Sequence, residues 1–306
     1  MKNLQVSIGI PAYNEEANIK NLLQNLLQQE GDNFELLEII VMSDGSTDQT
    51  ANVAKSVTDR RIIVKEYLER LGKPFRQNEL LGLFAGDVLI ILDADVISAN
   101  NEFISKITSP FIRNPRIGLV GGKVSPIEPR TFFEKIMNFS AILKQDIYEK
   151  LNQGNNIYLC HGRVRAFSRD FASQLNWPKD IGSEEDAYSY LISIERGFDF
   201  SYQPEAEIFF RSPQAFRDYI KQSSRFMRSK KQLGKYFTNE KITANFFISF
   251  NLLLRTTLKF FIRHPILFVS CLGIFLASRL APKNKKYTAL WEPSETTKNL
   301  NQIREE

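Results

Sequence analysis

The chain has 306 residues, enough for one large domain or two small ones, and its 43% hydrophobic and 25% charged content is ordinary for a folded protein. Its two cysteines, Cys160 and Cys271, stand far apart, which excludes a disulfide framework or a Cys/His zinc spacing and fits a reducing compartment. The net charge of +5 conceals an asymmetry: residues 1–210 carry 22 Lys and Arg against 29 Asp and Glu, a net −7, whereas 211–286 carry 16 cations against two acids, a net +14. An acidic body with a basic, apolar tail points to an anionic partner surface, either nucleic acid or membrane.

Met1–Gln5 lead straight into a strand pattern, with no apolar run of signal-peptide type. Along the first 125 residues, strand and helix signals alternate. Strands are expected at Val6–Ile10, Leu37–Met42, Ile62–Glu66, Val88–Leu92 and Ile117–Gly121. Helices are expected at Glu15–Gln29, Asp48–Thr58 and Gln77–Phe84, the second with Ser46 or Thr47 near its cap. Such alternation predicts an α/β fold with a mostly parallel central sheet flanked by helices. The stretch from Phe132 to Tyr202 reads as helix-rich, with a strand at Arg163–Phe167.

The character of the chain changes near Phe209. Phe246, Phe247, Phe250, Leu253, Leu254, Leu258 and Phe261 recur at helical spacing, and Arg255, Lys259 and Arg263 follow at four-residue steps on another face. That is the pattern of a basic amphipathic helix lying in a membrane interface. Pro265–Ala277 is almost wholly apolar but short for a span of roughly 20 residues. A re-entrant or interfacial hairpin fits these residues, and a buried helix pair is the alternative.

Three strand ends carry chemistry. Ile8–Glu16 ends a strand at Pro11 and enters a polar loop, where Tyr13 can face a planar ring and Glu15 can accept from a ribose or base. A plain turn with a capping Asn fits the same residues. In Met42–Asp48, Asp44 ends a strand and is placed to accept from the imide of a uracil, or equally to make an Asx turn. Asp93-Ala-Asp95 closes the apolar run Val88–Leu92. Ligands bind at the carboxyl ends of strands in open α/β sheets. Paired carboxylates there repel unless compensated, and a hard divalent cation that also carries a substrate phosphate compensates well. A solvated pair is the plain alternative. Further on, Gly182–Asp186 sets three carboxylates before a helix, which suits a base near neutral pH or a helix N-terminus stabilised by acids.

Val6–Glu16, Val41–Thr50, Gly72-Lys73, Leu89–Asp95, Glu185-Asp186 and Gln222–Phe226, taken in order, resemble family 2 glycosyltransferases of the GT-A fold. The resemblance implies a nucleotide-binding half at 1–125 and an acceptor half at 126–210, together a catalytic domain. Residues 211–240 would complete the active site, 241–286 would associate with membrane, and 287–306 would form a polar tail. It implies inverting transfer from a nucleotide-diphosphate sugar, with UDP-sugars favoured, and Mg²⁺ or Mn²⁺ as cofactor. Asp186 would be the catalytic base and Asp95 the metal ligand. Pro11, Ala12, Tyr13, Glu15, Asp44, Lys73, Asp93 and Arg225 would bind the donor, with His161, Gly162, Glu185 and Gln222 toward the acceptor.

The acceptor expected from the basic apolar tail is a lipid-linked sugar, a polyprenyl phosphate or a nascent envelope glycan, met at the cytoplasmic face of the cell membrane. No nucleic-acid partner is expected, because the tail's aromatics share its apolar face instead of interleaving with its cations. Gln222–Phe226 resembles the Gln-x-x-Arg-Trp motif of processive polysaccharide synthases, but Phe226 replaces the Trp and the long spans of those enzymes are missing. A processive transferase therefore stands as the alternative, with a sugar-nucleotide-binding scaffold as the non-enzymatic one. A nucleotidyltransferase would need a Gly-rich basic loop that Ile8–Glu16 lacks.

Overall fold

The computed structural model describes residues 3–226, 229–280 and Leu300, with the side chains at 224–226, 229 and 230 left aside. Eight strands form one sheet: β1 (Leu4–Ala12), β2 (Phe34–Asp44), β3 (Ile62–Tyr67), β4 (Val88–Leu92), β5 (Val96–Ser98), β6 (Ile117–Pro126), β7 (Val164–Ser168) and β8 (Asp199–Phe210). Helices α1 (Ile19–Leu27), α2 (Thr50–Lys55), α3 (Lys73–Leu83), α4 (Phe103–Arg113), α5 (Phe132–Lys150), α6 (Arg169–Ala172) and α7 (Glu185–Glu195) intervene. After the last strand come α8 (Phe216–Phe226), α9 (Ser229–Leu233), α10 (Asn239–Asn245), α11 (Phe250–Arg263) and α12 (Pro265–Leu280).

The sheet order is β3-β2-β1-β4-β7-β6-β8-β5. The first four are parallel, as expected from the strand–helix alternation. Beyond β4 the sheet is mixed: β7 runs antiparallel to β4 and β6, β8 parallel to β6, and β5 antiparallel to β8. Every residue of β4 is buried. Helices cover both faces, so its side chains have no wet side. On α1, Ile19, Leu22, Leu23 and Leu26 turn the same face to the core.

Several boundaries differ from the sequence expectation, each for a local reason. The helix expected from Glu15 begins at Ile19, because Glu15–Asn18 form a turn ahead of it in which Asn18 N–H donates to Glu15 O at 3.0 Å. The helix expected from Asp48 begins at Thr50, whose N–H donates to Asp48 Oδ1. The helix expected from Gln77 begins earlier, at Lys73, where Pro74 suits a first turn. The expectation contained neither β5 and α4 nor the long strand β8. In β8, Pro204 and Glu205 break the apolar alternation, and the structure absorbs them as a shift of register against β6 between Gly122 and Lys123.

The tail helices dock on α5 by one side. Phe139 meets the rings of Phe260 at 5.7 Å and Phe268 at 6.5 Å, and Lys259 pairs with Asp146 at 3.3 Å. Phe246 and Phe247 precede α11 instead of opening it, because Ser249 Oγ caps the helix by accepting from Leu252 N–H. The outward side stays bare: Phe250, Leu254, Ile262, Ile266 and Val269 are all more than half exposed. At 16 residues α12 is about 24 Å long, under the roughly 30 Å of a hydrocarbon core. Among the described residues no helix is long and apolar enough to cross a membrane. Residues 281–299 and 301–306, which take in most of the expected polar tail, lie outside the described residues.

Candidate active site

Parallel pairing aligns the strand ends. Ala12 lies beside Ser43, and Gly9 beside Ile91, so Pro11, Ala12, Tyr13, Asp44 and Asp93 reach one edge of the sheet. The two loops at that edge are stitched together. Thr47 N–H donates to Asn14 Oδ1 at 2.8 Å, and Glu15 N–H to Thr50 Oγ1 at 2.7 Å. Glu15 is buried and accepts from Asn18 Nδ2. The Arg70 guanidinium lies 3.6 Å from the centroid of the Tyr13 ring, a cation–π contact over that aromatic face.

Asp44 is nearly inaccessible, and its carboxylate serves the chain that leads to Lys73. Its Oδ1 accepts from Leu71 N–H (2.9 Å) and Arg76 Nε (2.7 Å), and its Oδ2 from Gly72 N–H (2.7 Å). Arg76 in turn pairs with Glu79 at 2.7 Å and lies 3.5 Å from the Tyr67 ring centroid. Gly72, at φ 93°, makes the turn that launches α3 with Lys73 as its first residue.

Lys73 is the hinge of the site. Its ammonium lies 2.5 Å from Asp93 Oδ1 and 3.1 Å from Glu185 Oε1, and donates to the Gly162 carbonyl at 2.9 Å. Burial opposes the charge on Lys73, but Asp93 and Glu185 outweigh it and raise its pKa. Burial likewise opposes ionisation of Asp93, and the Lys73 ammonium reverses that and holds the carboxyl below its usual range. Asp95 is raised, first by burial and then by the charge on Asp93.

Asp186 sits in the first turn of α7, where its Oδ1 accepts from Ala187 N–H at 2.6 Å and its Oδ2 from Gly162 N–H at 3.2 Å. Burial, reinforced by neighbouring Glu185, pushes its pKa up to about 6. Gly162 permits this closeness. A Cβ there would stand 3.3 Å from Glu185 Oε1, 3.4 Å from Asp186 Oδ2 and 3.6 Å from Lys73 Nζ. His161, beside it, is pushed down to about 3 by burial and by the Arg163 charge, so its imidazole is neutral.

The structure thus gathers Lys73, Asp93, His161, Gly162, Glu185, Asp186 and Gln222 around one cavity of about 1060 Å³. Pro11, Ala12, Tyr13, Glu15, Asp44 and Asp95 are not part of that lining. Arg225 lies on α8, but its side chain is outside the described ones. Sequence reading missed Arg163, Arg165 and Arg76. Strand β7 pairs antiparallel with β4, with Arg165 opposite Ile91 and Arg163 O accepting from Asp93 N–H, which carries both arginines to the acidic edge. Arg165 is fully buried and donates to Glu185 O and Ser189 Oγ, both at 2.9 Å. Arg165, an arginine inside the otherwise apolar run Val164–Phe167, was the available signal, since such burial demands partners.

The Asp93/Asp95 pair fits a divalent cation that shares its shell with phosphate and water. Mg²⁺ commonly takes one or two protein carboxylates, and burial together with the charge on Asp93 raises Asp95 in spite of Arg163 and Lys73. Among the described residues no group of three or more His, Cys, Asp or Glu could hold a metal ion. Any ion here would therefore draw most of its ligands from substrate and solvent.

The family model for glycosyl transferase family 2 matches residues 7–175. The chain belongs to glycosyl transferase family 2. An N-acetylglucosaminyltransferase of Azorhizobium caulinodans is 24% identical over 268 residues, covering 79% of this chain and 66% of that protein. A 4,4'-diaponeurosporenoate glycosyltransferase of Staphylococcus aureus is 24% identical over 209 residues, covering 64% of this chain and 55% of that protein. The chain therefore spans less than two thirds of the length of either relative. Among solved structures, a mannosyltransferase from Pyrobaculum calidifontis in complex with GDP-Man and Mn²⁺ superposes with a TM-score of 0.56 at 19% identity, covering 92% of this chain and 77% of that one. Glucosyl-3-phosphoglycerate synthase from Mycobacterium tuberculosis, in complex with Mn²⁺, UDP and phosphoglyceric acid, gives 0.55 at 17% identity, covering 76% of this chain and 78% of that one. The curled mixed sheet of this family 2 chain is thus the GT-A fold of those glycosyltransferases.

Proposed function

We propose that this family 2 chain is an inverting glycosyltransferase that moves a sugar from a nucleotide-diphosphate donor to the hydroxyl of a lipid-linked or envelope-glycan acceptor. The observation that carries the reading is Asp186, a carboxylate raised to about 6 that lines a cavity with Asp93 and Lys73. Such a group is ionised at neutral pH yet basic enough to take the acceptor proton, a contribution of typically about 10²–10⁴-fold.

The neighbours solved with GDP-Man and with UDP support a nucleotide-diphosphate sugar as donor, with UDP-sugars the favoured choice. Pro11, Ala12, Tyr13, Glu15 and Asp44 would line the nucleoside, and Lys73 and Arg225 would face the diphosphate. Asp95, with Asp93, would hold Mg²⁺ or Mn²⁺, which supplies Lewis-acid charge for the departing nucleoside diphosphate. The bare apolar side of α11 and α12, with Arg255 and Arg263, would hold the enzyme at an anionic cytoplasmic leaflet.

The test is release of nucleoside diphosphate from UDP- and GDP-sugars with Mn²⁺, compared between the wild type and Asp186→Asn. A loss of about 10²–10⁴-fold is expected. Full turnover in Asp186→Asn removes the base assignment, and no turnover by the wild type with any donor favours a sugar-nucleotide-binding scaffold.

A further inference from the structure

The cavity that begins at Asp186 does not end near it. It continues between α5 and the tail helices, where its lining becomes apolar: Met137 and Leu143 from α5, and Phe268, Leu272 and Phe275 from α12. The three α12 residues fall at helical spacing on one face, so the whole inner face of that helix borders the cavity. Leu272 and Phe275 are 49% and 43% exposed although they line it, so the cavity is open along α12. The same helix carries the bare Ile266, Val269 and Leu276 on its outside. The opening is therefore continuous with the apolar surface of the tail.

Two cations border the apolar section, Lys144 on α5 and Arg279 on α12, and Arg279 lies over the Phe275 ring at 4.7 Å. Lys144, on α5, lines the cavity. Its neighbours on the same helix are already paired: Asp146 with Lys150 and Lys259, and Gln145 with Glu149 and Tyr202. Among the described residues Lys144 itself has no ion pair or hydrogen bond, and the thiol of Cys271 is the titratable group facing it. Lys144 is exposed where it lines the cavity, and the protein around it, with no carboxylate to offset it, lowers its pKa. An exposed, unpaired cation beside an apolar wall offers a charge-assisted hydrogen bond to the head group of an anion whose chain lies along that wall.

We propose that this cavity binds an anionic amphiphile, with its apolar chain between α5 and α12, its phosphate or carboxylate on Lys144, and its polar end toward Asp186. Resting on the transferase reading above, this makes the amphiphile the sugar acceptor. It enters sideways from the membrane surface instead of from bulk water, and its charge selects it from neutral lipids. The chemistry Lys144 recognises is shared by lipid phosphates and lipid acids.

The experiment uses the full chain without donor or metal. Binding of dodecyl phosphate, laurate and dodecanol is measured by calorimetry below their micelle concentrations. The expected result is that at least one anion binds about ten- to a hundredfold more tightly than dodecanol, the range of one charge-assisted hydrogen bond. Preference for dodecyl phosphate assigns a lipid phosphate, and preference for laurate a lipid acid. Lys144→Met, which keeps the stem and removes the charge, should erase the preference and leave dodecanol binding as it was. Leu272→Trp, which fills the apolar section, should weaken all three ligands. Equal binding of dodecanol and both anions by the wild type, or a preference that survives Lys144→Met, overturns the proposal. Donor-sugar binding is measured on the same preparations: its absence beside intact amphiphile binding removes the transferase reading and leaves the lipid site standing.

Discussion

With Asp186 as the proposed general base, burial and the Glu185 carboxylate together set the acid limit of transfer. Asp186 is held at about 6, first by burial and then by the Glu185 carboxylate next to it. Only the ionised form accepts a proton, so activity is present above that pKa and is lost as the pH falls through it. With a pKa of about 6, the ionised fraction drops from roughly 0.9 at pH 7 to roughly 0.1 at pH 5, about a tenfold loss of rate. Glu185→Gln removes the like charge. It also leaves Lys73 and Arg165, which face Glu185 at 3.1 and 3.8 Å, without that anionic partner. Both changes favour the carboxylate, so the limb should move to lower pH, by on the order of one unit. The assay is the pH profile of nucleoside diphosphate release at saturating donor, in wild type and Glu185→Gln, with Asp186→Asn as the variant whose residual rate should show no such limb. An acid limb that stays near 6 in Glu185→Gln, or moves upward, refutes the electrostatic reasoning.

Three further outcomes follow from the same contacts. Lys73→Met leaves Asp93 and Glu185 without their shared cation and should cost about 3 kcal/mol in urea unfolding, with part recovered in the double variant Lys73→Met/Glu185→Gln. Arg76→Met strands Asp44 and should cost about 3–5 kcal/mol by the same measurement, because Arg76 is 2% exposed and donates to Asp44 at 2.7 Å. Replacing Leu254 and Leu258, each 52% exposed on α11, by Asp should lower co-flotation with anionic vesicles by about tenfold or more while leaving the unfolding midpoint in place; unchanged flotation would remove the membrane role of that face.

The parallel half of the fold was legible because its signals are local. Val88–Leu92 is continuously apolar, only five residues long, rich in β-branched residues and bounded by Gly86-Asp87 and Asp93, which together mark a buried strand. The other half was not, because its determinants are long-range. β8 hides its alternation behind Pro204 and Glu205, and only pairing with β6 reveals it. The acidic clusters Asp93-Ala-Asp95 and Glu184–Asp186 were visible as clusters. What joins Asp93 to Glu185 is Lys73, and the sequence distance from Lys73 to Glu185 conceals that they share a salt bridge. Lys144 left no trace at all, since its meaning depends on a cavity that exists only when α12 lies along α5.

Two groups in the cavity compete for the role of proton acceptor, and their surroundings separate them. His161, at about 3, and Asp186, at about 6, both border the space where an acceptor hydroxyl would lie. Three units correspond to a difference on the order of 4 kcal/mol in proton affinity. The end states widen the contrast. A proton on His161 would create a cation among Arg163, Lys73 and Arg165, which already oppose it. A proton on Asp186 removes a negative charge from beside Glu185 and relieves the repulsion that raised its pKa in the first place. Burial is the first cause that keeps the histidine neutral, and Arg165 and Lys73, which add to it there, also keep Asp186 from rising much further. The site therefore leaves the carboxylate ionised at neutral pH but ready to be protonated, which is the condition a general base must meet.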